Sequence, residues 1–381
     1  MIPIAYNLRS LAVRRATSLA AAGGIGLVVF VFAATGMLLA GLRATLAGGS
    51  HEDVAVVLRA GSEAELTSQF EAPLVARVLA RPEVAAGAGE VVVTMSLPRR
   101  GGDGISNVIL RGVPEASYAL RPALTIVAGR MPRPGTEEAM VGRAIAGRLD
   151  GAEIGGLLDL TPRRSVHVVG AFAAGGSALE SEVWADREIV ARAVGREGLA
   201  SSVRVRLRDP GAVEAFAAGI ADDPALGLAA ESEARYDERQ REGMARFVLG
   251  IGLLLCVCFA LGGTIGAAVT MHASVAHRQR EIGTLRALGF PRRSILTAFL
   301  LEALLLAGAG GLLGVGGALA LGRVRFSLVN VANWSEVVFR FQPTPAVLLA
   351  SVAFAALLGL VGGLLPAIRA ASVPPIRAIR S

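Results

Sequence analysis

The sequence predicts an integral membrane protein: four transmembrane α-helices plus a large extracytoplasmic α+β domain inserted between helices 1 and 2. Three observations predict it. The chain is 53% hydrophobic with a mean hydropathy of +0.56, above an ordinary soluble domain. The apolar residues gather into four runs, about 19–42, 247–269, 296–321 and 346–368. Each is near or above the ~20 residues a helix needs to cross a ~30 Å hydrocarbon core. Between the first two runs lie roughly 200 residues with the β-rich stretches and turn residues of a folded domain.

Composition excludes several chemistries. The net charge is +7, and all 38 basic residues are arginine. Without lysine there is no Walker A phosphate loop, no kinase strand lysine and no pyridoxal Schiff base. Many arginines flank the apolar runs, where they orient a membrane protein, so no nucleic-acid partner is expected. Cys256 and Cys258 lie two apart inside the second run, and residues two apart on a helix do not face each other. No disulfide, metal site, cofactor site or catalytic group is therefore expected in the chain.

The elements follow in order. Residues 1–16 read as a cytoplasmic N-terminal segment and 17–42 as transmembrane helix 1. That run exceeds the 7–15 apolar residues of a signal core, so it reads as an uncleaved anchor. Arg9, Arg14 and Arg15 precede it; Arg278, Arg280, Arg286, Arg292 and Arg293 separate runs two and three; Arg369, Arg377 and Arg380 follow run four. If all four runs span, these segments share a side, and the positive-inside rule makes it the cytoplasm, with both termini there. The expected location is the cytoplasmic (inner) membrane, multi-pass.

Residues 43–230 read as the extracytoplasmic domain. Strand-like stretches occur at 53–59, 90–95, 107–111, 166–170, 182–185 and 203–207, with a turn at 99–104. Helix-like pieces occur at 73–80, 142–149, 188–194 and 212–221, and the mixture suggests two small subdomains. A stalk helix follows at 231–246, where Glu231 with Arg235, Asp237 with Arg241 and Glu242 with Arg246 are acid-first i,i+4 pairs. No proline or turn divides it from transmembrane helix 2 at 247–272, so stalk and span form one rod. Then come a cytoplasmic helix and turn at 273–294, helix 3 at 295–322, an extracytoplasmic loop at 323–345, helix 4 at 346–368 and a cytoplasmic tail at 369–381.

Within the runs, Gly262 with Gly266, Gly310 with Gly314 and Gly359 with Gly363 have the GxxxG spacing that lets helices approach closely, within or between subunits. Glu302 is the one acid well inside a run. A carboxylate there is either functional or answered by snorkelling or a nearby arginine.

The segment 276–296 is short and basic. Val275, Ile282, Leu285 and Leu288 form a narrow apolar stripe, with Arg278, Arg280 and Arg286 elsewhere around the helix. Gly289 suits a helix end, and Pro291 prevents simple continuation. Such a helix lies on anionic lipid, merely connects two spans, or docks a cytoplasmic partner.

The run 278–289 (RQREIGTLRALG) resembles the segment after the second transmembrane helix of FtsX-like permeases of the MacB and LolC/LolE type, ABC transporters of the mechanotransmission class. The resemblance continues through 294–296 (SIL) and the Glu302 region into the glycine-rich third helix. The stretches 366–371 (PAIRAA) and 374–379 (PPIRAI) resemble that family's closing motif, and 129–132 (GRMP) with 141–142 (VG) its outer-domain pattern. The resemblance implies two permeases, as a homodimer or with a related paralogue, and two copies of an ABC ATPase subunit that binds ATP and Mg. It implies an ATPase contact at Arg278, Glu281, Ile282, Leu285, Arg286, Leu288 and Gly289. Only about 16 residues precede the first run, so the ATPase is expected as another chain.

The implied function is a non-catalytic permease subunit that moves its outer domain to export or extract a substrate such as a lipoprotein, lipid or peptide. Membrane lipid and a periplasmic adaptor are further expected partners. The alternative within the family is an FtsX-like regulator that activates an extracytoplasmic cell-wall hydrolase. A membrane-tethered enzyme is poorly supported: His51 and His167 lack close metal-like partners, and no G-x-S-x-G motif occurs.

Overall fold

The computed structural model describes residues 15–47, 53–102, 104–329 and 336–373. Contacts divide the chain into two units. One holds the long apolar helices; the other comprises Leu42–Ala245 with Arg325–Phe339.

The second unit is an α/β body. Its elements in chain order are β1 (Val54–Arg59), β2 (Phe70–Glu71), α2 (Ala72–Leu79), β3 (Val84–Pro98), β4 (Ile105–Val113), α3 (Ala116–Ala119), β5 (Leu124–Gly129), β6 (Glu138–Gly142), β7 (Leu157–Thr161), β8 (Arg164–Ala174), β9 (Glu182–Asp186), α4 (Arg187–Ala193), β10 (Leu199–Ala200), β11 (Ser202–Leu207), α5 (Val213–Ala221) and β12 (Leu228–Ser232). Helix α1 (Arg15–Ala47) precedes them. Ten strands share one sheet in the order β12-β1-β11-β3-β4-β9-β6-β8-β5, with β7 on β8.

Two cores lie along this sheet. In the first lobe, β1, α2, β3, β11, α5 and β12 have the split βαβ connectivity of a ferredoxin-like unit. Pro73 opens α2, and Val75 and Val78, three apart on one face, enter the core with Ala55, Val57, Phe216 and Ile220. Burying each such side chain contributes about 1.5–3 kcal/mol. The second lobe, β4 to β9 with α4, is inserted between β3 and β11 and has its own core around Val93, Leu110, Val141, Val168 and Val190. The two expected subdomains are thus two cores, but they are not separate sheets. Strand β3 belongs to both: its residues 84–90 pair with β11 and 91–98 pair with β4.

Two local readings are corrected. The helix expected over 142–149 is a series of turns. Gly142 packs so closely on the Glu180 carbonyl that no side chain fits, and Gly147 has a φ of 68°, which ends any helix there. The stalk helix begins at Glu233, because 228–232 is drawn into the sheet as β12. Glu231 is therefore not on the helix; it pairs with Arg239, while Arg235 reaches Glu214 at 3.3 Å.

The segment expected as a loop after helix 3 contains a hairpin, β13 (Arg325–Val329) with β14 (Glu336–Arg340). It docks on the second lobe. Glu336 accepts from Arg99 at 2.8 Å and from the Ser106 hydroxyl at 2.8 Å. Val338 joins the lobe's core and donates its N–H to Ser181 Oγ at 3.1 Å.

The other unit contains α1 and three further long helices: α6 (Glu233–His277), α8 (Arg292–Leu321) and α9 (Pro345–Ala371), with the short α7 (Gln279–Ala287) between α6 and α8. All four long helices are long and apolar enough to cross a membrane. Two GxxxG pairs are helix contacts. A Cβ on Gly310 would sit 2.6 Å from the Ala22 carbonyl of α1, and one on Gly314 would sit 2.5 Å from that of Gly26. Gly359 and Gly363 take Ala307 and Ala303 of α8. Gly262 and Gly266 make no helix contact within this chain: a Cβ on either would meet nothing within 4 Å, and the inward positions of α6 are Gly263, against Val28, and Ala267. That pair faces out because the helix turns its neighbours one step along toward α1.

Candidate functional site

Helix α6 runs 45 residues without a break from the α/β unit into the helical unit. At Arg278 the backbone leaves the helix (φ −108°, ψ 13°), and the nine-residue α7 starts at the next residue, Gln279. The Leu288 N–H closes the last turn on Thr284, Gly289 follows with φ 93°, and extended Pro291 starts α8. A left-handed glycine and a proline in succession turn the chain sharply between two spans.

The short helix presents two faces. Ile282 is buried with Val275, Ile295, Phe299 and Ala371. Arg278 also turns inward: its Nη1 donates to Glu302 Oε2 at 2.9 Å, its Nε to Glu281 at 3.1 Å, and its guanidinium lies 5.4 Å from the Phe299 ring centre. The Ser274 hydroxyl approaches the other Glu302 oxygen at 3.5 Å. Glu302 is thus answered by a nearby arginine. Among the residues expected at an ATPase contact, Arg278 and Ile282 thus anchor the segment to its own bundle. Glu281, Leu288 and Gly289 are exposed, Leu288 by 71%, and Leu285 and Arg286 are half-buried. The closing motif at 374–379, the arginines Arg9, Arg14, Arg377 and Arg380, and His51 lie outside the described residues.

The α/β unit holds a second constellation. Arg111 on β4 is buried and donates to three carboxylates: Glu182 at 2.7 and 2.9 Å, Glu65 at 3.0 and 3.1 Å, and Glu90 at 2.9 Å. Arg121 takes Glu90 through both oxygens at 2.7 and 2.8 Å. Arg204 on β11 reaches Glu65 at 3.3 Å and pairs with Glu233, the first residue of α6. Ser202 and the Trp184 indole supply further donors at 2.7 Å each, to Glu65 and Glu182. Tyr236, one turn into α6, accepts the Glu65 N–H at 3.2 Å and packs on Val56 and Leu58 of β1.

Electrostatics hold this network charged. Burial raises the pKa of Glu90, but Arg121 and Arg111 outweigh it and bring the group down to about 2. Burial likewise opposes ionisation of Glu65, and Arg111 and Arg204 reverse it, holding the carboxyl well below its usual range. Burial and the Glu65 charge push the Tyr236 phenol upward, so it stays neutral. The network was missed in the sequence, although a signal exists. Glu90 and Arg111 are single charges set in buried apolar strand runs, and Arg204 is a buried charge on β11, which is where a charge must find a partner.

The remaining motifs are structural. Gly129 has φ 72° and lies against the Val169 carbonyl, and Arg130 beside it grips Glu138 at 2.5 and 2.6 Å. That hydrogen bond, with the Arg133 N–H, lowers the Glu138 pKa to about 2. Among the described residues no cluster of three metal-binding side chains occurs, and His167 is exposed on β8.

Comparison with known proteins agrees with this layout. The MacB-like periplasmic core domain family matches residues 16–223, more than half of the chain, and the FtsX-like permease C-terminal family matches 253–375. The uncharacterized ABC transporter permease YknZ of Bacillus subtilis is 37% identical over 131 residues, 34% of this chain and 30% of that protein. The macrolide export ATP-binding/permease protein MacB of Bdellovibrio bacteriovorus is 40% identical over 129 residues, 33% of this chain and 18% of that one. The matched stretches thus span under a third of either relative. The periplasmic region of MacB from Actinobacillus actinomycetemcomitans aligns over 52% of this chain and 96% of its own, at 10% identity and a TM-score of 0.39. With both family models matched in order along one polypeptide, the chain belongs to the MacB-type, FtsX-like family of ABC transporter permeases.

Proposed function

We propose that the chain is a permease subunit that couples ATP hydrolysis by a separate ATPase subunit to movement of its α/β domain outside the membrane. The substrate class is a lipoprotein, lipid or peptide for export or extraction. The observation that carries this reading is α7: a short helix fixed to the bundle by Ile282 and Arg278 while Glu281 and Leu288 face outward. What favours docking over a mere connector is that this outward face, with Glu281, Leu285 and Leu288, falls in the 278–289 run that resembles the family's ATPase-contact segment. The same end carries Arg15, Arg278, Arg280, Arg286, Arg292 and Arg293, which supports a cytoplasmic position.

In this reading two ATPases close on ATP and Mg, push α7, and tilt α6 and α8. Two permease copies, identical or paralogous, complete the assembly. Helix α6 continues as the stalk, so the push arrives at β12 and the buried network without crossing a flexible linker. The chain itself does no chemistry on nucleotide, having no lysine for a phosphate loop.

The test is Leu285→Asp with Leu288→Asp in the full chain, co-expressed with its ATPase. Recovery of the ATPase with the permease is expected to fall by roughly tenfold or more. Undiminished recovery removes the docking assignment. The regulator reading is less favoured because the family model over 16–223 is MacB-like. A gain in cell-wall hydrolase activity that depends on the ATPase, in reconstituted material, would reverse that order.

A further inference from the structure

We propose that the buried Arg–Glu network is a joint that locks the first turn of α6 to both lobes, with Arg204 as its pivot. Its purpose rests on the permease reading above; its geometry does not. The path is short. Glu233 of the helix holds Arg204 of the first lobe; Arg204 also holds Glu65; Glu65 is gripped at both oxygens by Arg111 of the second lobe; and Arg111 grips Glu182 on β9. Two guanidiniums therefore connect the stalk to the far lobe. Tyr236, three residues after Glu233 and on the same helix face, adds a hydrogen bond to the Glu65 backbone.

Stability alone does not account for three buried guanidiniums and four buried carboxylates. Well-packed apolar residues of similar volume hold a core as well as a buried ion pair does, and often better. The two kinds of contact differ in direction. Apolar packing has no preferred angle and lets a helix roll on a sheet. Hydrogen-bonded ion pairs are directional: Arg111 fixes distance and angle together by paired bonds to Glu65 and Glu182, and Arg204 adds a single bond to Glu65 and another to Glu233. At the point where a 45-residue helix enters a two-lobed body, that difference decides whether movement passes into both lobes or is lost at the contact.

The experiment uses the full chain in lipid nanodiscs, with Cys256 and Cys258 replaced by alanine. Spin labels go at Glu238 on the stalk, paired with Asp222 in the first lobe or Glu153 in the second, all exposed positions. The Arg204→Met, Glu233→Met pair removes opposite charges together, so the net charge of the network is unchanged. Both distance distributions are expected to be narrow in the parent and at least about twofold broader in the double variant. The milder Glu233→Gln is expected to broaden them by roughly half. Unchanged widths in Glu233→Gln, or in a double variant whose melting temperature is unchanged, overturn the joint. So does a fall in melting temperature without broadening, which marks a merely structural role. With the ATPase and ATP added, a parent labelled at Glu153 alone that shows no change in the distance between its two copies sinks the permease reading, while the stalk-to-lobe widths still judge the joint.

Discussion

At the scale of single residues, charge placement decides what the protein tolerates. Glu302 sits inside a helix, yet Arg278 answers it at 2.9 Å, so its burial is compensated within the bundle. Glu90 is fully buried and held near 2 by Arg121 and Arg111 once burial is overcome, against an ordinary value of 4.5. A carboxyl whose folded pKa is depressed contributes stability that is complete above the unfolded value and lost as pH falls through the folded one. The α/β unit is therefore expected to be indifferent to pH from neutrality to about 4.5 and to weaken progressively between about 4.5 and 2. Its melting temperature should fall by roughly 5–10 °C over that window. Trp184, buried and bonded to Glu182 in the same network, gives the fluorescence signal that follows it. A melting temperature that stays flat down to pH 2.5 would mean that the network carries no net electrostatic stabilisation.

At the scale of elements, close approach separates two kinds of glycine. A side chain on Gly314 would meet backbone atoms of Gly26 and Phe30 at 2.5 and 2.8 Å, and backbone cannot rotate away. Gly314→Val is expected to force α1 from α8 and lower the melting temperature of the detergent-solubilised chain, at a cost of about 1–3 kcal/mol. Gly262→Val, with nothing within 4 Å, is expected to leave that temperature unchanged. If Gly262→Val instead shifts the chain from dimer to monomer, the open face of α6 is where the second copy packs. The hairpin β13–β14 illustrates an element set by its neighbours. Its strands are short, and its docking depends on Arg99, Ser106 and Ser181, far away in sequence.

At the scale of the whole molecule, the chain passes between its two units four times, at 41–42, 245–246, 324–325 and 339–340. One passage is the uninterrupted helix α6, which continuous apolar and charged sequence without proline favours. The proposed lever requires α7 and the α/β unit to be on opposite sides of the membrane. Single cysteines at Gln279 and at Glu153, both exposed, test this in intact cells with an impermeant thiol reagent. Labelling at Glu153→Cys and protection at Gln279→Cys are expected. The reverse pattern inverts the topology and removes the ATPase reading with it.

The four apolar helices, the breaks at Gly289 and Pro291, and half of the twelve strands of the α/β unit (β1, β3, β4, β8, β9 and β11) were legible in the sequence, because hydropathy and turn chemistry act over a few residues. The sequence also carried the family resemblance. Only the tertiary structure decided that Arg278 and Ile282 point inward, that Glu302 is paired, that Gly262 and Gly266 are left open, and that Glu231 belongs to a strand. Above all it decided the network, whose partners Glu65, Arg111, Glu182, Arg204 and Glu233 are spread across most of the α/β unit. Local pattern fixes which face of an element is apolar. Which charge meets which depends on how the chain brings distant strands together, and that is a property of packing.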